Sequence, residues 1–106
     1  EMFVNLINNA REAILKTERG EGEIRINIWT ENMLVCVSVR DNGEGMDKKT
    51  LRNLYTPFFT TKKTFQNWGI GMSQIRKTVD SHQGFINVES KLGKYTEFQI
   101  AIPIDL

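Results

Sequence analysis

Hydrophobic residues recur at three- and four-residue steps over the first 16 positions of the chain. They are Phe3, Leu6, Ile7, Ala10 and Ile14. Residues at this spacing share one face of a helix, so the pattern predicts an amphipathic helix over residues 1–16. Because no capping residue precedes the apolar stripe, we expect the chain to be a fragment of a longer protein.

A first hairpin is predicted directly after this helix. The alternation of Ile24, Ile26 and Ile28 with less apolar residues predicts a half-buried strand. A turn at Glu31-Asn32 leads to a second predicted strand over residues 33–40. That strand carries apolar residues on both faces, which is typical of a central strand covered by a helix.

A second hairpin is predicted near the C-terminus. Apolar residues at 85–88 and 98–102 flank a turn at Leu92-Gly93-Lys94. Pro103 is expected to end the ladder because it has no N–H to donate.

Residues 41–68, between the hairpins, show little periodicity. They contain one short predicted helix, Lys48–Leu54, with Asp47 as its N-cap. A longer helix is predicted over residues 69–83, with Gly84 as its stop. The order helix, hairpin, long loop, helix, hairpin predicts an α+β fold, a two-layer sandwich with helices on one face of a mixed, mostly antiparallel sheet.

Composition places the chain among ordinary globular domains. Its 106 residues are 40% hydrophobic and include 14 Lys plus Arg and 13 Asp plus Glu, which fits one domain with its own core. The lone Cys36 cannot form a disulfide within the chain, and no apolar run approaches the roughly 20 residues that cross a bilayer. We therefore expect a cytoplasmic domain without direct membrane contact.

The charge is small overall but unevenly distributed. A net charge of +1 argues against nucleic-acid binding. Residues 47–68, however, contain five Lys and Arg residues and one acidic residue, Asp47, for a local net charge of +4. The rest of the chain therefore has a net charge of −3. A long loop with local positive charge is typical of a functional segment.

The predicted first helix carries an unusual pair of polar residues. Asn5 and Asn9 are four residues apart and share a face beside Leu6. A carboxamide oxygen at this position can coordinate Mg²⁺, which keeps several waters and bridges substrate phosphates. Taken alone, asparagines that face solvent or cap the local backbone are the commoner outcome.

An acidic, glycine-rich segment follows the predicted central strand, with the sequence Asp41-Asn42-Gly43-Glu44-Gly45. An ionised Asp only accepts hydrogen bonds, which suits a ligand that presents an N–H group, and glycines let backbone approach a flat ring. An ordinary strand-to-loop turn has the same composition.

Two further motifs lie in the long loop and at the start of the next helix. Residues 57–63 combine two aromatics with hydroxyls and cations, so that Lys62 could reach a phosphate as a point charge. Gly69 and Gly71 open the predicted helix, whose free N–H groups attract phosphate oxygens. Each motif is a weak signal by itself.

Together, the order and spacing of these motifs resemble the ATP-binding catalytic domain of sensor histidine kinases, within the superfamily that also holds gyrase, Hsp90 and MutL ATPases. The resemblance covers nearly the whole chain and implies the Bergerat-type ATP-binding fold. The matched segments are residues 5–10 (N box), 41–45 (G1 box), 57–62 (F box) and 69–72 (G2 box), with Thr96 in the closing strand.

Position by position, the resemblance implies that Asn9 coordinates Mg²⁺, with Asn5 on the same face, and that Asp41 accepts from the adenine amine. The other residues that it implies in ATP binding are Gly43, Gly45, Lys62, Gly69, Gly71 and Thr96. Residues 47–68 would form a mobile lid over the nucleotide. Glu12 departs from the family, many members of which carry a phosphate-contacting Lys or Arg there.

The residue at position 5 separates the branches of the superfamily. Gyrase-like and Hsp90-like members are expected to carry Glu there to activate water, and Asn cannot act as a general base. The resemblance therefore implies a protein-histidine kinase that transfers the γ-phosphate of Mg-ATP to a histidine on a separate domain. No catalytic residue beyond nucleotide positioning is expected in the chain, and His82 is expected to end a helix.

The partners implied by the resemblance are the protein's own dimerisation and histidine phosphotransfer domain and the response regulator of a two-component system, with the full-length protein a homodimer. Two alternatives stay open. One is an anti-sigma-type serine/threonine kinase or switch module of the same superfamily, against which residues 58–62 argue. The other is a degenerate scaffold that no longer binds nucleotide.

Overall fold

The computed structural model describes residues 2–18, 20–54 and 75–104. Its elements, in order, are helix α1 (Met2–Leu15), strands β1 (Ile24–Glu31) and β2 (Leu34–Asp41), helix α2 (Lys48–Leu54), the helical residues 75–81 (α3), and strands β3 (Phe85–Lys91) and β4 (Tyr95–Pro103). The first helix, the short helix and both hairpins are thereby confirmed. Residues 69–74, the start of the predicted longer helix, lie outside the described residues.

The four strands form one sheet in the order β1-β2-β4-β3. Each neighbouring pair among these strands is antiparallel. Strand β2 is central, as its apolar residues on both faces predict, and α1 packs mainly on it. The predicted α+β sandwich is confirmed.

The core lies between the sheet and the helices. Leu6 of α1 has no exposed surface and packs with Val37 and Val39 of β2. The rest of this buried cluster is Met46, Ile75, Val79, Val88, Phe98 and Ile100. Burial of such apolar side chains stabilises a fold by about 1.5–3 kcal/mol each. Because residues two apart on a strand share a face, Asp41 lies on the same side of the sheet as Val37 and Val39.

Strand β1 is more exposed than the predicted half-buried strand. Ile24 is partly buried, but Ile26 and Ile28 are 44% and 62% exposed. The reason is its position at the edge of the sheet, where α1, which packs mainly on β2, covers little of it. Alternation along one strand cannot distinguish an edge strand from an inner one.

The turn of the first hairpin lies one residue later than predicted. Asn32 and Met33 both adopt positive φ angles, 50° and 63°, and Glu31 pairs with Leu34 across the turn. Two left-handed residues form a turn whose twist matches that of the flanking strands. Asn is suited to the first of these positions because it tolerates left-handed backbone.

The end of α3 is fixed by a left-handed residue just before the predicted glycine stop. Gln83 has a φ of 57°, the Gln83 N–H donates to the Asp80 carbonyl, and the Gly84 N–H donates to the Val79 carbonyl at 2.8 Å. This is the Schellman pattern of helix ends. Gly84 is needed next to it because a Cβ there would lie 2.7 Å from the Ala101 carbonyl oxygen. His82 lies in this turn, as expected.

Within the three described ranges, no helix combines the length and the apolar character needed to cross a membrane.

Candidate functional site

Two buried polar side chains lie side by side at one end of the core-facing side of the sheet. Asp41, the last residue of β2, pairs in register with Thr96 of β4. Asp41 is 3% exposed and Thr96 has no exposed surface. Cross-strand partners in an antiparallel pair point to the same face, so the carboxyl and hydroxyl groups are neighbours.

Burial changes the acidity of Asp41. Loss of solvent around the carboxyl raises its pKa to about 6, and the charge of Glu44 acts in the same direction. The Gly43 N–H opposes this rise because it donates to Asp41 Oδ1 at 2.8 Å and stabilises the carboxylate. At neutral pH, Asp41 is therefore an ionised, buried acceptor of hydrogen bonds.

The segment after Asp41 packs against the first helix. A Cβ on Gly43 would lie 2.5 Å from the Ala13 carbonyl carbon and 2.7 Å from the Ala13 Cβ. The Glu44 N–H donates to the Ala13 carbonyl at 3.1 Å. This close approach gives Gly43 a role in packing, whereas its predicted role beside a flat ring stays a prediction.

Gly45 is required by both its backbone angle and its surroundings. Its φ is 68°, and a Cβ there would lie 2.1 Å from the Lys91 carbonyl oxygen. The Gly93 N–H donates to the Glu44 carbonyl at 2.6 Å, and the Met46 N–H donates to Ser90 Oγ at 2.8 Å. The segment 43–46 is thus held between α1 on one side and the β3–β4 turn on the other.

Asn9 contributes a buried amide to the same region. The residue is 8% exposed, and its Nδ2 has no hydrogen-bond partner among the described residues. Because Asn9 and Ala13 are one helical turn apart, Asn9 shares a face with the residue that Gly43 contacts. A buried polar group without a partner costs about 1–3 kcal/mol, so this amide is suited to a partner from a ligand.

The donor set is compatible with Mg²⁺ held partly by a ligand. Among the described residues, no three His, Cys, Asp or Glu side chains cluster as they would around a fully protein-bound metal. Mg²⁺ usually takes only one or two protein oxygens and completes its shell with waters and phosphates. A half-turn of the Asn9 amide exchanges its nitrogen and oxygen, so the unpartnered position can present an oxygen to such an ion.

The structure brings most of the described site residues together. Gly43 and Gly45 follow Asp41 along the chain, Thr96 of β4 pairs with Asp41, and Asn9 lies one helical turn from Ala13, which Gly43 contacts. Asn5 is partly buried one turn earlier on α1. The remaining predicted residues, Lys62, Gly69 and Gly71, lie outside the described residues, as do the whole F box, the whole G2 box and residues 55–68 of the predicted lid.

Ser90 also contributes to this region, and sequence reasoning did not select it. Its hydroxyl contacts Met46, Tyr95 and Thr96. The alternation of Ile86, Val88 and Ser90 along β3 was a usable signal, because it places a hydroxyl on the core face, where polar groups are uncommon.

The fold is an α+β sandwich with a buried Asp at the end of its central strand and a buried Asn on the covering helix. Comparison with known proteins identifies the class of protein that has these features. The whole chain, residues 1–106, matches the family model described as histidine kinase-, DNA gyrase B-, and HSP90-like ATPase, and the chain belongs to this family. Within the family, it is an ATP-binding catalytic domain of the histidine kinase type.

Named relatives and solved structures agree with this assignment. The chain is 36% identical to sporulation kinase A of Bacillus subtilis over 103 residues, covering 97% of this chain and 16% of that protein. It is 33% identical to the signal transduction histidine-protein kinase AtoS of Escherichia coli over 106 residues, covering 99% of this chain and 16% of that protein. It therefore spans about a sixth of the length of these relatives.

Among solved structures, the chain is similar to the nucleotide-free catalytic domain of histidine kinase ThkA. The two share 32% sequence identity with a TM-score of 0.75, over 96% of this chain and 63% of the other. The shared fold agrees with the sandwich described above.

Proposed function

We propose that this chain binds Mg-ATP and presents the γ-phosphate to a histidine on a separate dimerisation and phosphoacceptor domain. Two observations carry the proposal: Asn9 is buried with its Nδ2 unpartnered among the described residues, and Asp41 is a buried carboxyl. Gly43, two residues after Asp41, packs on Ala13, one helical turn from Asn9, and a metal ligand and a base-binding acceptor in this arrangement suit a nucleotide that spans them.

Each described residue has a distinct task in this proposal. Asp41 accepts a hydrogen bond from the adenine amine, with the Thr96 hydroxyl beside it. Asn9 supplies an amide oxygen to Mg²⁺, with Asn5 on the same face. When bound, the ion neutralises phosphate charge. Gly43 and Gly45 hold the segment close to α1 and β3, which keeps Asp41 oriented.

The predicted residues outside the described ranges complete the proposal. Lys62 and the backbone amides near Gly69 and Gly71 contact the phosphates, and the lid, residues 47–68, excludes water when nucleotide is bound. Excluding water favours phosphoryl transfer over hydrolysis. Asn5 favours it too, because an amide cannot take a proton from water at this position.

The partners follow from the same resemblance. The relatives are named sporulation kinase and signal transduction histidine-protein kinase, which supports a role in two-component signalling. We propose that the chain acts in the cytoplasm as part of a longer, homodimeric sensor kinase. The dimerisation domain of that kinase accepts the phosphoryl group from this domain and then passes it to a response regulator. The longer protein could be membrane-anchored through its other segments.

Autophosphorylation of the full-length protein tests this function. With radiolabelled Mg-ATP, the Asn9→Ala and Asp41→Ala variants are expected to lose at least about 100-fold in rate, in line with removal of a metal ligand or a buried charge-assisted hydrogen bond. Ser81→Ala is the control, because Ser81 is exposed at the end of α3 and donates only to the Thr78 carbonyl. Unchanged rates in both site variants would overturn the proposal.

The nature of the product separates the alternatives. A histidine kinase yields an acid-labile phosphoramidate, whereas a serine/threonine kinase of the same superfamily yields an acid-stable phosphoester. A full-length protein that takes up no label, together with a chain that binds no Mg-ATP, would instead identify the degenerate scaffold.

A further inference from the structure

Three core-facing polar side chains form a row across the sheet. Ser90 of β3 pairs in register with Thr96 of β4, which pairs in turn with Asp41 of β2. Direct cross-strand partners share a face, so all three side chains point toward the helix layer. Asp41 and Thr96 belong to the proposed nucleotide site, whereas no role has yet been assigned to Ser90.

The Ser90 hydroxyl makes three hydrogen-bond contacts, each 2.8 Å long. They join its Oγ to the Met46 N–H, to the Tyr95 carbonyl oxygen and to Thr96 Oγ1. A serine hydroxyl can donate one proton and accept two. Three contacts therefore use its whole capacity, and this fixes which partner donates in each.

Two of the three directions are set by the partners. The Met46 backbone N–H can only donate, so Ser90 accepts from it, and the Tyr95 carbonyl can only accept, so Ser90 gives it its single proton. The remaining contact joins two hydroxyls, and its proton must come from Thr96. Thr96 therefore directs its O–H at Ser90 and offers only lone pairs elsewhere.

We propose that Ser90 is a specificity-determining positioning residue, which holds the Thr96 hydroxyl as an acceptor beside the Asp41 carboxylate so that the site selects a purine bearing an amine at position 6. This inference rests on the proposed function. An adenine amine donates hydrogen bonds, whereas the keto oxygen of hypoxanthine or guanine only accepts, and two acceptors facing such an oxygen repel it. A site built to hydrogen-bond one group strongly rejects its non-matching analogue.

The prediction concerns what happens when Ser90 loses its hydroxyl. In Ser90→Ala, the Thr96 O–H is freed and can turn to donate toward a keto oxygen. The preference for purines with a 6-amine over purines with a 6-keto oxygen then falls, while the Asp41 carboxylate remains in place.

The experiment measures the Kd of Mg-ATP and of Mg-inosine triphosphate by calorimetry for the chain and its variants at pH 8, above the pKa of Asp41. The parent chain is expected to prefer ATP. Ser90→Ala is expected to reduce the ratio of the Kd for Mg-inosine triphosphate to the Kd for Mg-ATP by about tenfold. Ser90→Thr keeps the hydroxyl and should keep the parent preference. Ser81→Ala, which removes an exposed hydroxyl that donates to the Thr78 carbonyl, should also keep the parent preference.

A merely structural role for Ser90 would weaken both nucleotides equally, and that result would overturn the inference. A Thr96→Val background adds a second check, because Ser90→Ala should have no further effect on the preference once the Thr96 hydroxyl is gone. If Ser90→Ala does not fold, loss of the preference in a folded Ser90→Thr variant overturns the inference on its own.

Failure of the proposed function gives a different result. A parent chain that binds neither nucleotide overturns the proposed function and the inference together. A parent chain that binds ATP, with a preference that Ser90→Ala leaves intact, overturns only the inference.

Discussion

Two glycines with similar backbone angles but different surroundings allow the packing of the segment 43–46 to be measured. Gly45 has a φ of 68° and Gly93 a φ of 78°, so alanine is strained at both. A Cβ on Gly45 would lie 2.1 Å from the Lys91 carbonyl oxygen, whereas a Cβ on Gly93 would meet nothing within 4 Å. The difference between the two variants therefore isolates the steric contact.

The magnitudes follow from these surroundings. Left-handed backbone costs an alanine about 1–2 kcal/mol, which we expect for Gly93→Ala. Gly45→Ala adds overpacking against backbone, typically about 1–3 kcal/mol, for a total of roughly 2–5 kcal/mol. Gly20→Ala is the second control, since its Cβ meets nothing and its φ lies outside the left-handed range. It should stabilise the chain by about 0.4–1 kcal/mol, because alanine restricts the unfolded state.

Urea unfolding followed by circular dichroism checks this series. With a slope of about 1.5 kcal/mol per molar, Gly93→Ala should lower the midpoint by roughly 0.7–1.3 M and Gly45→Ala by roughly 1.3–3.3 M. A Gly45→Ala midpoint equal to that of Gly93→Ala would refute the reasoning, because the segment would then have room that the structure does not show.

Four further predictions concern three polar side chains. Asn9→Ala should abolish Mg-ATP binding in calorimetry yet leave the free energy of unfolding unchanged or up to about 1 kcal/mol higher, because it removes a buried amide nitrogen that has no hydrogen-bond partner among the described residues. A loss above about 2 kcal/mol would contradict this. The pKa of Asp41 is raised from 3.8 to about 6, so its contribution to stability is fully present below pH 3.8 and is lost as pH rises through 6. That contribution is up to about 3 kcal/mol. In urea unfolding at pH 4 and pH 7.5, Asp41→Asn should therefore be more stable than the parent only at pH 7.5. Because an ionised carboxyl accepts a hydrogen bond from the adenine amine more strongly than a protonated one, affinity for Mg-ATP should fall as pH drops below 6, and a flat profile from pH 8 to pH 5 would refute that role. Asp47→Ala should cost about 1 kcal/mol at the N-terminus of α2, where Asp47 Oδ1 accepts from the Thr50 N–H at 2.7 Å, and an unchanged urea midpoint would contradict the cap.

Much of the fold could be predicted from the sequence because local patterns specify it. The helical spacing of Leu6 and Ala10 located α1, and Asp47 marked the start of α2. The exposure of Ile28 could not be predicted, since it depends on where β1 lies in the sheet. The turn shifted to Asn32 and Met33 because register between two strands, rather than composition, decides which residues are left unpaired.

The motifs of the candidate site could be recognised in the sequence, whereas the packing around them could not be predicted. The motif carrying Asp41 and Gly43 was recognisable. Its glycines were predicted to allow close approach of a ligand, and the structure shows that contacts with Ala13 and Lys91 also require them. These contacts join residues distant in sequence, which no local pattern reveals. Tertiary packing also determines that Asn9 Nδ2 has no partner among the described residues and that the Ser90 hydroxyl makes three hydrogen-bond contacts.

The central claim is that Asn9, Asp41 and Thr96 contribute to one nucleotide site. Titration of the ¹⁵N-labelled chain with Mg-ATP, observed by NMR, tests it most directly. If the claim holds, the backbone amide signals of Asn9, Gly43 and Thr96 shift together and saturate with a single Kd, and omission of Mg²⁺ reduces the shift at Asn9 most. Saturable shifts at Gly43 and Thr96 with none at Asn9, or separate Kd values for the two groups, would contradict it.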